Sequence, residues 1–102
     1  MMGLVRAYLR ELKEHIRVER AILFGSRARG DWVDVSDVDL IIVSPDLEGI
    51  RFLDRLELLH RFWRRRDVAL EVFGYTPEES ERGKRLSVLI HSAVSEGLTV
   101  EP

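Results

Sequence analysis

The sequence predicts an α/β domain (α+β in the broader sense), with a small mixed sheet of three to four strands flanked by helices. Three observations predict it. Short apolar, β-branched runs occur at residues 20–24, 38–43 and 68–75. Stripes of helical period lie before, between and after them. The length, 102 residues, suits one core rather than two, so residues 1–102 are expected to form a single domain.

Val5, Leu9, Leu12 and Ile16 recur at helical spacing and predict a first helix over about residues 3–17. Residues 20–24 then form a buried strand that stops at Gly25. Ser26 can cap a short helix opening with Arg27, Ala28 and Arg29, and residues 30–36 form a polar loop. The second strand, 38–43, is stopped by Pro45. Phe52, Leu56, Leu59 and Trp63, widened by Leu53, predict a long second helix. Arg64, Arg65 and Arg66 are expected at its C-terminus, where positive charge suits the helix dipole. A third strand covers residues 68–75. Thr76, Pro77 and Glu79 then make a strong helix start. Leu86, Leu89, Ile90, Ala93 and Val94 supply that helix with a buried face, and Gly97 ends it. Residues 98–100 can add an edge strand.

Composition excludes several function classes. There is no cysteine, hence no disulfide, thiolate catalysis or sulfur-held zinc. A net charge of −2 gives no sign of bulk nucleic-acid binding. No apolar run is long enough to span a membrane. The absence of a signal-peptide pattern points to a cytoplasmic protein. The chain has no Asn or Gln, and its arginines outnumber its lysines fourteen to two. Loss of thermolabile side chains is a habit of heat-adapted proteins and predicts a thermophilic source.

The chemistry concentrates in Gly25-Ser26-Arg27-Ala28-Arg29-Gly30 and Ser36-Asp37-Val38-Asp39-Leu40. Gly25, at a strand end, lets the backbone turn sharply and approach a ligand. Ser26 and the amides after it form a helix N-terminus, a place that favours phosphate. An ordinary glycine turn with a serine cap would look the same in isolation. Asp37 and Asp39 alternate along a strand and therefore share a face. Two carboxylates so close repel unless a cation or proton lies between them, and hard divalent cations prefer oxygen ligands. Such acids can also be plain solvated residues. Asp39, however, is flanked by Val38, Leu40, Ile41 and Ile42, where an unpaired carboxylate is costly. Six positions matched at this spacing (Gly25, Ser26, Gly30, Ser36, Asp37, Asp39) would coincide by chance on the order of once in ten million.

The combination resembles the nucleotidyltransferase superfamily of the DNA polymerase β type, marked by a Gly-Ser turn followed by an Asp-x-Asp strand. The longer pattern, Gly-Ser-Arg-Ala-Arg-Gly, five residues, then Ser-Asp-x-Asp-Leu, is similar to its minimal branch. Members of that branch commonly serve as antitoxins of HEPN–MNT toxin–antitoxin pairs. The resemblance covers nearly the whole chain. It implies a nucleotidyltransferase-like fold, ATP as substrate and two Mg²⁺ ions. Asp37, Asp39 and a third carboxylate on the neighbouring strand would hold the metals. The matching position is Glu71, where the family usually has aspartate; Asp67 is the competitor, and its neighbours Arg64–Arg66 suit it better to an ion pair. Gly25 and Ser26 would hold the triphosphate. Arg27 and Arg29 would contact phosphate or pair with a carboxylate. The implied reaction moves AMP onto a partner protein, a HEPN toxin. The alternative is a binding module that neutralises the toxin by complex formation, with activity weak or lost. Homo- and hetero-oligomers both stay open.

Other residues say less. His15, His60 and His91 lack ligand spacing and read as structural or surface residues. Arg61 and Arg64–Arg66 with Trp63 could meet RNA or an acidic partner, but a solvated helix end is the plainer reading. Trp32, in the polar loop, could stack on a base, enter a partner or fold back onto the domain.

Overall fold

The computed structural model describes residues 2–24, 37–65, 68–86 and 98–100. Gly25, Ser26, Arg27, Arg29, Gly30, Trp32, Ser36, Arg66, Asp67 and His91 lie outside the described residues. So do Leu89, Ile90, Ala93, Val94 and Gly97 of the expected last helix.

Helix α1 spans Met2–Lys13. Its stripe of Val5, Leu9 and Leu12 is fully buried, and Arg10 and Lys13 lie in its last turn, where the dipole favours cations. The expected continuation to residue 17 does not occur. Glu14 and His15 donate to carbonyls three residues back, at 3.1 and 3.0 Å, and this tightening closes the helix. Ile16 still packs against the core from the turn.

Strands β1 (Arg20–Phe24), β2 (Asp37–Val43), β3 (Ala69–Tyr75) and β4 (Leu98–Thr99) form one sheet in the order β3-β2-β1-β4. β1 is antiparallel to β2 and β4, while β2 and β3 are parallel. This is the expected mixed sheet, with β3 at one edge. A parallel pair needs a crossover, and α2 (Phe52–His60) supplies it between β2 and β3. Before α2, Pro45 ends β2 and opens a 3₁₀ turn, Pro45–Leu47; the buried Ser44 hydroxyl caps it by accepting from the Asp46 amide at 3.1 Å.

The two sheet faces have different partners. On one, Leu23, Leu40 and Val72 pack with Val5 and Leu9 of α1 and Leu59 of α2. Each such apolar side chain contributes about 1.5–3 kcal/mol by leaving water. On the other, Ile22, Ile41 and Val43 form a smaller buried cluster bordered by Phe73 and Tyr75.

The second helix departs from expectation. It stops at His60, so Trp63, Arg64 and Arg65 lie beyond its end. The Trp63 ring stands edge-on to Tyr8 with centroids 5.5 Å apart, and its Nε1–H donates to Val68 O at 2.8 Å. Arg64 pairs with Glu11 of α1 instead of facing the helix dipole. Within the stripe, Leu53 is 76% exposed, whereas Arg55 is 6% exposed.

Helix α3 (Pro77–Leu86) opens with a reciprocal cap. The Glu79 amide donates to the Thr76 hydroxyl at 3.2 Å, and Glu79 Oε1 accepts from the Thr76 amide at 2.8 Å.

Candidate active site

The sheet register collects the acids. Asp39 is the Cα partner of Glu71 on β3 and of Phe24 on β1. Asp37 is paired with Ala69, two residues earlier. Strand parity therefore gives residues 37, 39 and 71 positions on one face, the face that farther along holds Ile41, Val43, Phe73 and Tyr75. Adjacent strands lie roughly 4.8 Å apart, so Asp39 and Glu71 are close neighbours. The chain leaves β1 toward Gly25 and Ser26 from Phe24, directly across from Asp39.

The same face changes character along its length. β2 places acids at its first and third residues and buried aliphatics at its fifth and seventh. β3 repeats the change, from exposed Glu71 to half-buried Phe73 and Tyr75. Asp39 is half-buried at the boundary. Among the described residues the Glu71 side chain makes no hydrogen bond or ion pair, and no group of three or more His, Cys, Asp and Glu side chains gathers there. Oxygen donors on facing strands fit a hard divalent cation such as Mg²⁺ and would be a poor set for a softer metal. Glu71, not a residue at the strand's start, is the one in register with Asp39.

At the other end of β3 a different carboxylate is fully engaged. The Arg55 guanidinium meets Glu79 at 2.6 and 3.2 Å, with further donations to Ile50 O at 2.8 Å and Gly74 O at 3.2 Å. The Arg55 hydrogen bond, helped by the donors of Thr76, holds the Glu79 carboxyl below the usual carboxylate range. Burial, and then the charge of Glu79, push the Tyr75 hydroxyl up. A cleft of about 420 Å³ opens here, lined by Ile50, Arg51, Phe52, Arg55, Tyr75 and Glu79. Arg55 escaped the sequence reading, although its position between Phe52 and Leu59 lies on the buried stripe. His60 also has a defined place. Its Nε2 is 2.7 Å from Leu70 O and its Nδ1 is 2.9 Å from Leu56 O.

Comparison with known proteins places these elements in a family. No curated protein matches the chain. A solved structure of BolA1 from Arabidopsis thaliana shares the fold alone, with 19% identity, a TM-score of 0.59 and coverage of 74% of this chain and 94% of that one. A 1.40 Å crystal structure from Sulfolobus solfataricus, designated a nucleotidyltransferase, is 29% identical with a TM-score of 0.65; the match covers 80% of this chain and 72% of that one. The family model of the nucleotidyltransferase domain matches residues 5–96. The chain belongs to the nucleotidyltransferase domain family.

Proposed function

We propose that the protein transfers AMP from ATP to a hydroxyl on a partner protein, and that the partner is a HEPN toxin which the modification silences. Family membership supports nucleotidyl transfer as the general chemistry. The observation that carries the reading is the register of Asp39 with Glu71, beside the strand end that leads into Gly25 and Ser26. In the proposed reaction the acceptor oxygen attacks the α-phosphorus of ATP. The bond to the bridging oxygen of the β-phosphate breaks, pyrophosphate departs and the hydroxyl proton ends in solvent. Asp37, Asp39 and Glu71 would hold two Mg²⁺ ions, which supply charge neutralisation at the phosphates and a more acidic acceptor hydroxyl. Ser26 and the amides after it would hold the outer phosphates, with Arg27 and Arg29 as added cations. Such transfer needs mainly positioning and charge, which suits a small domain that leaves the acceptor surface to another protein. The donor is ATP, so the reaction is proposed for the cytoplasm.

The second reading, a binding module that neutralises the toxin without modifying it, is favoured by Glu71 itself. One methylene beyond the usual aspartate shifts the oxygens by about a bond length, and Mg²⁺ demands near-ideal octahedral geometry. Incubation with labelled ATP, Mg²⁺ and the product of the adjacent gene separates the two. Label on the partner, lost with Asp39→Asn, supports the enzyme. A tight complex without label supports the module.

A further inference from the structure

We propose that His60 is a positioning residue for Glu71, acting through the backbone of the edge strand that carries it. This rests on the metal-holding role proposed above for Glu71. Among the described residues β3 has a neighbouring strand on one side only. Its Tyr75 carbonyl accepts from the Ser44 amide at 2.9 Å, so the odd-numbered residues of β3 bond toward β2. In a parallel ladder the even-numbered ones then turn their carbonyls to the open edge. Two of these outward carbonyls are taken by α2. Arg55 Nη1 donates to Gly74 O, and His60 Nε2 stands 2.7 Å from Leu70 O.

Leu70 immediately precedes Glu71. An unsupported edge strand frays from its ends, and here fraying would carry Glu71 away from Asp39. Both His60 nitrogens face carbonyl oxygens, Leu70 O and Leu56 O. Carbonyls only accept, and a neutral imidazole has a single N–H. With its proton on Nε2, the ring donates to Leu70 O, the shorter of the two contacts. Nearby on the same helix end, Glu57 lies 3.9 Å from Arg61; Arg64 is held by Glu11. His60 thus ties the last turn of α2 to the backbone one residue before the acid.

The test uses the whole chain and Mn²⁺ alone as the probe. Affinity and melting midpoint are measured at pH 6 for the parent, Glu71→Ala, His60→Ala and His60→Arg. We expect His60→Ala to weaken Mn²⁺ binding about tenfold, the usual scale for groups that orient metal ligands, while melting within a few degrees of the parent. The arginine, a permanent multiple donor, should recover most of the affinity. Should His60→Ala not fold, His60→Gln, which keeps one amide donor, carries the same comparison. Parent-like Mn²⁺ binding in the His60 variants beside a loss in Glu71→Ala overturns the proposal alone. So does a loss that arginine does not repair, or one that merely follows melting. Unchanged binding in Glu71→Ala overturns the reading of Glu71 and this proposal with it.

Discussion

The two ends of β3 treat carboxylates in opposite ways. Beyond Tyr75, Glu79 is gripped by a buried guanidinium and capped against Thr76. Near the start of the strand, Glu71 is exposed and opposes Asp39 across the register. The first arrangement satisfies its charge within the fold and contributes stability. The second brings like charges together, which costs free energy unless a cation or proton joins them. One strand thus links a carboxylate used to hold the fold together with the pair of acids proposed to hold metal.

Substitution at each end should separate activity from stability. Asp39→Asn is expected to lower nucleotidyl transfer about a hundredfold or more while leaving the melting midpoint near that of the parent; a transfer assay beside thermal melting reads both. Arg55→Leu should do the reverse. It strands Glu79 and frees the Ile50 and Gly74 carbonyls, and denaturant unfolding should show a loss of about 2–4 kcal/mol. If Arg55→Leu abolished transfer in a protein that still melted like the parent, the division of labour would fail.

Gly74→Ala should cost less, about 1–2 kcal/mol in the same unfolding measurement. An added Cβ would stand 2.7 Å from Leu47 Cδ1 and 2.9 Å from Leu59 Cδ1, side-chain ends that can give partway. The acid response sharpens the comparison further. Arg55 lowers the Glu79 carboxyl in the folded state. Its contribution is therefore complete above the ordinary glutamate value near 4.3 and fades as pH falls through the lower folded value. Melting of the parent should drop on acidification below about pH 4, and Glu79→Gln should flatten that part of the profile. Smallest in diagnostic weight, the lack of Asn, Gln and Cys predicts a melting midpoint above the mesophile range of roughly 45–65 °C by calorimetry.

Much of this was legible along the chain. β1 ends at Phe24 as the apolar run ending at Gly25 foretold, and the Thr76–Glu79 pattern closes into the reciprocal cap it implied. Local signals of that kind act within a few residues and survive whatever packs around them. The second helix was misjudged because periodicity marks a face without saying what will fill it. Phe52 and Leu53 satisfied the stripe yet reach solvent, while Arg55 lies inside because Glu79, far along the chain, waits to neutralise it. Arg64 and Arg65 miss the expected helix end because α2 stops at His60 and Trp63 is tied to Val68 O instead of extending it.

For the candidate site, spacing alone brought out Asp37, Asp39 and the glycine–serine turn, because alternation along one strand is a property of covalent geometry. Which later acid faces them was a different matter. That depends on strand order and register, and a slip of one residue would turn Glu71 to the opposite face. Pairing between β2 and β3 sets Glu71 opposite Asp39, through ladder bonds and the apolar contacts of Leu40 and Val72 that hold the two strands in step. The ties of Arg55 and His60 to the outer carbonyls were likewise invisible in one dimension, since hydrogen bonds across a helix and an edge strand exist only once both have docked.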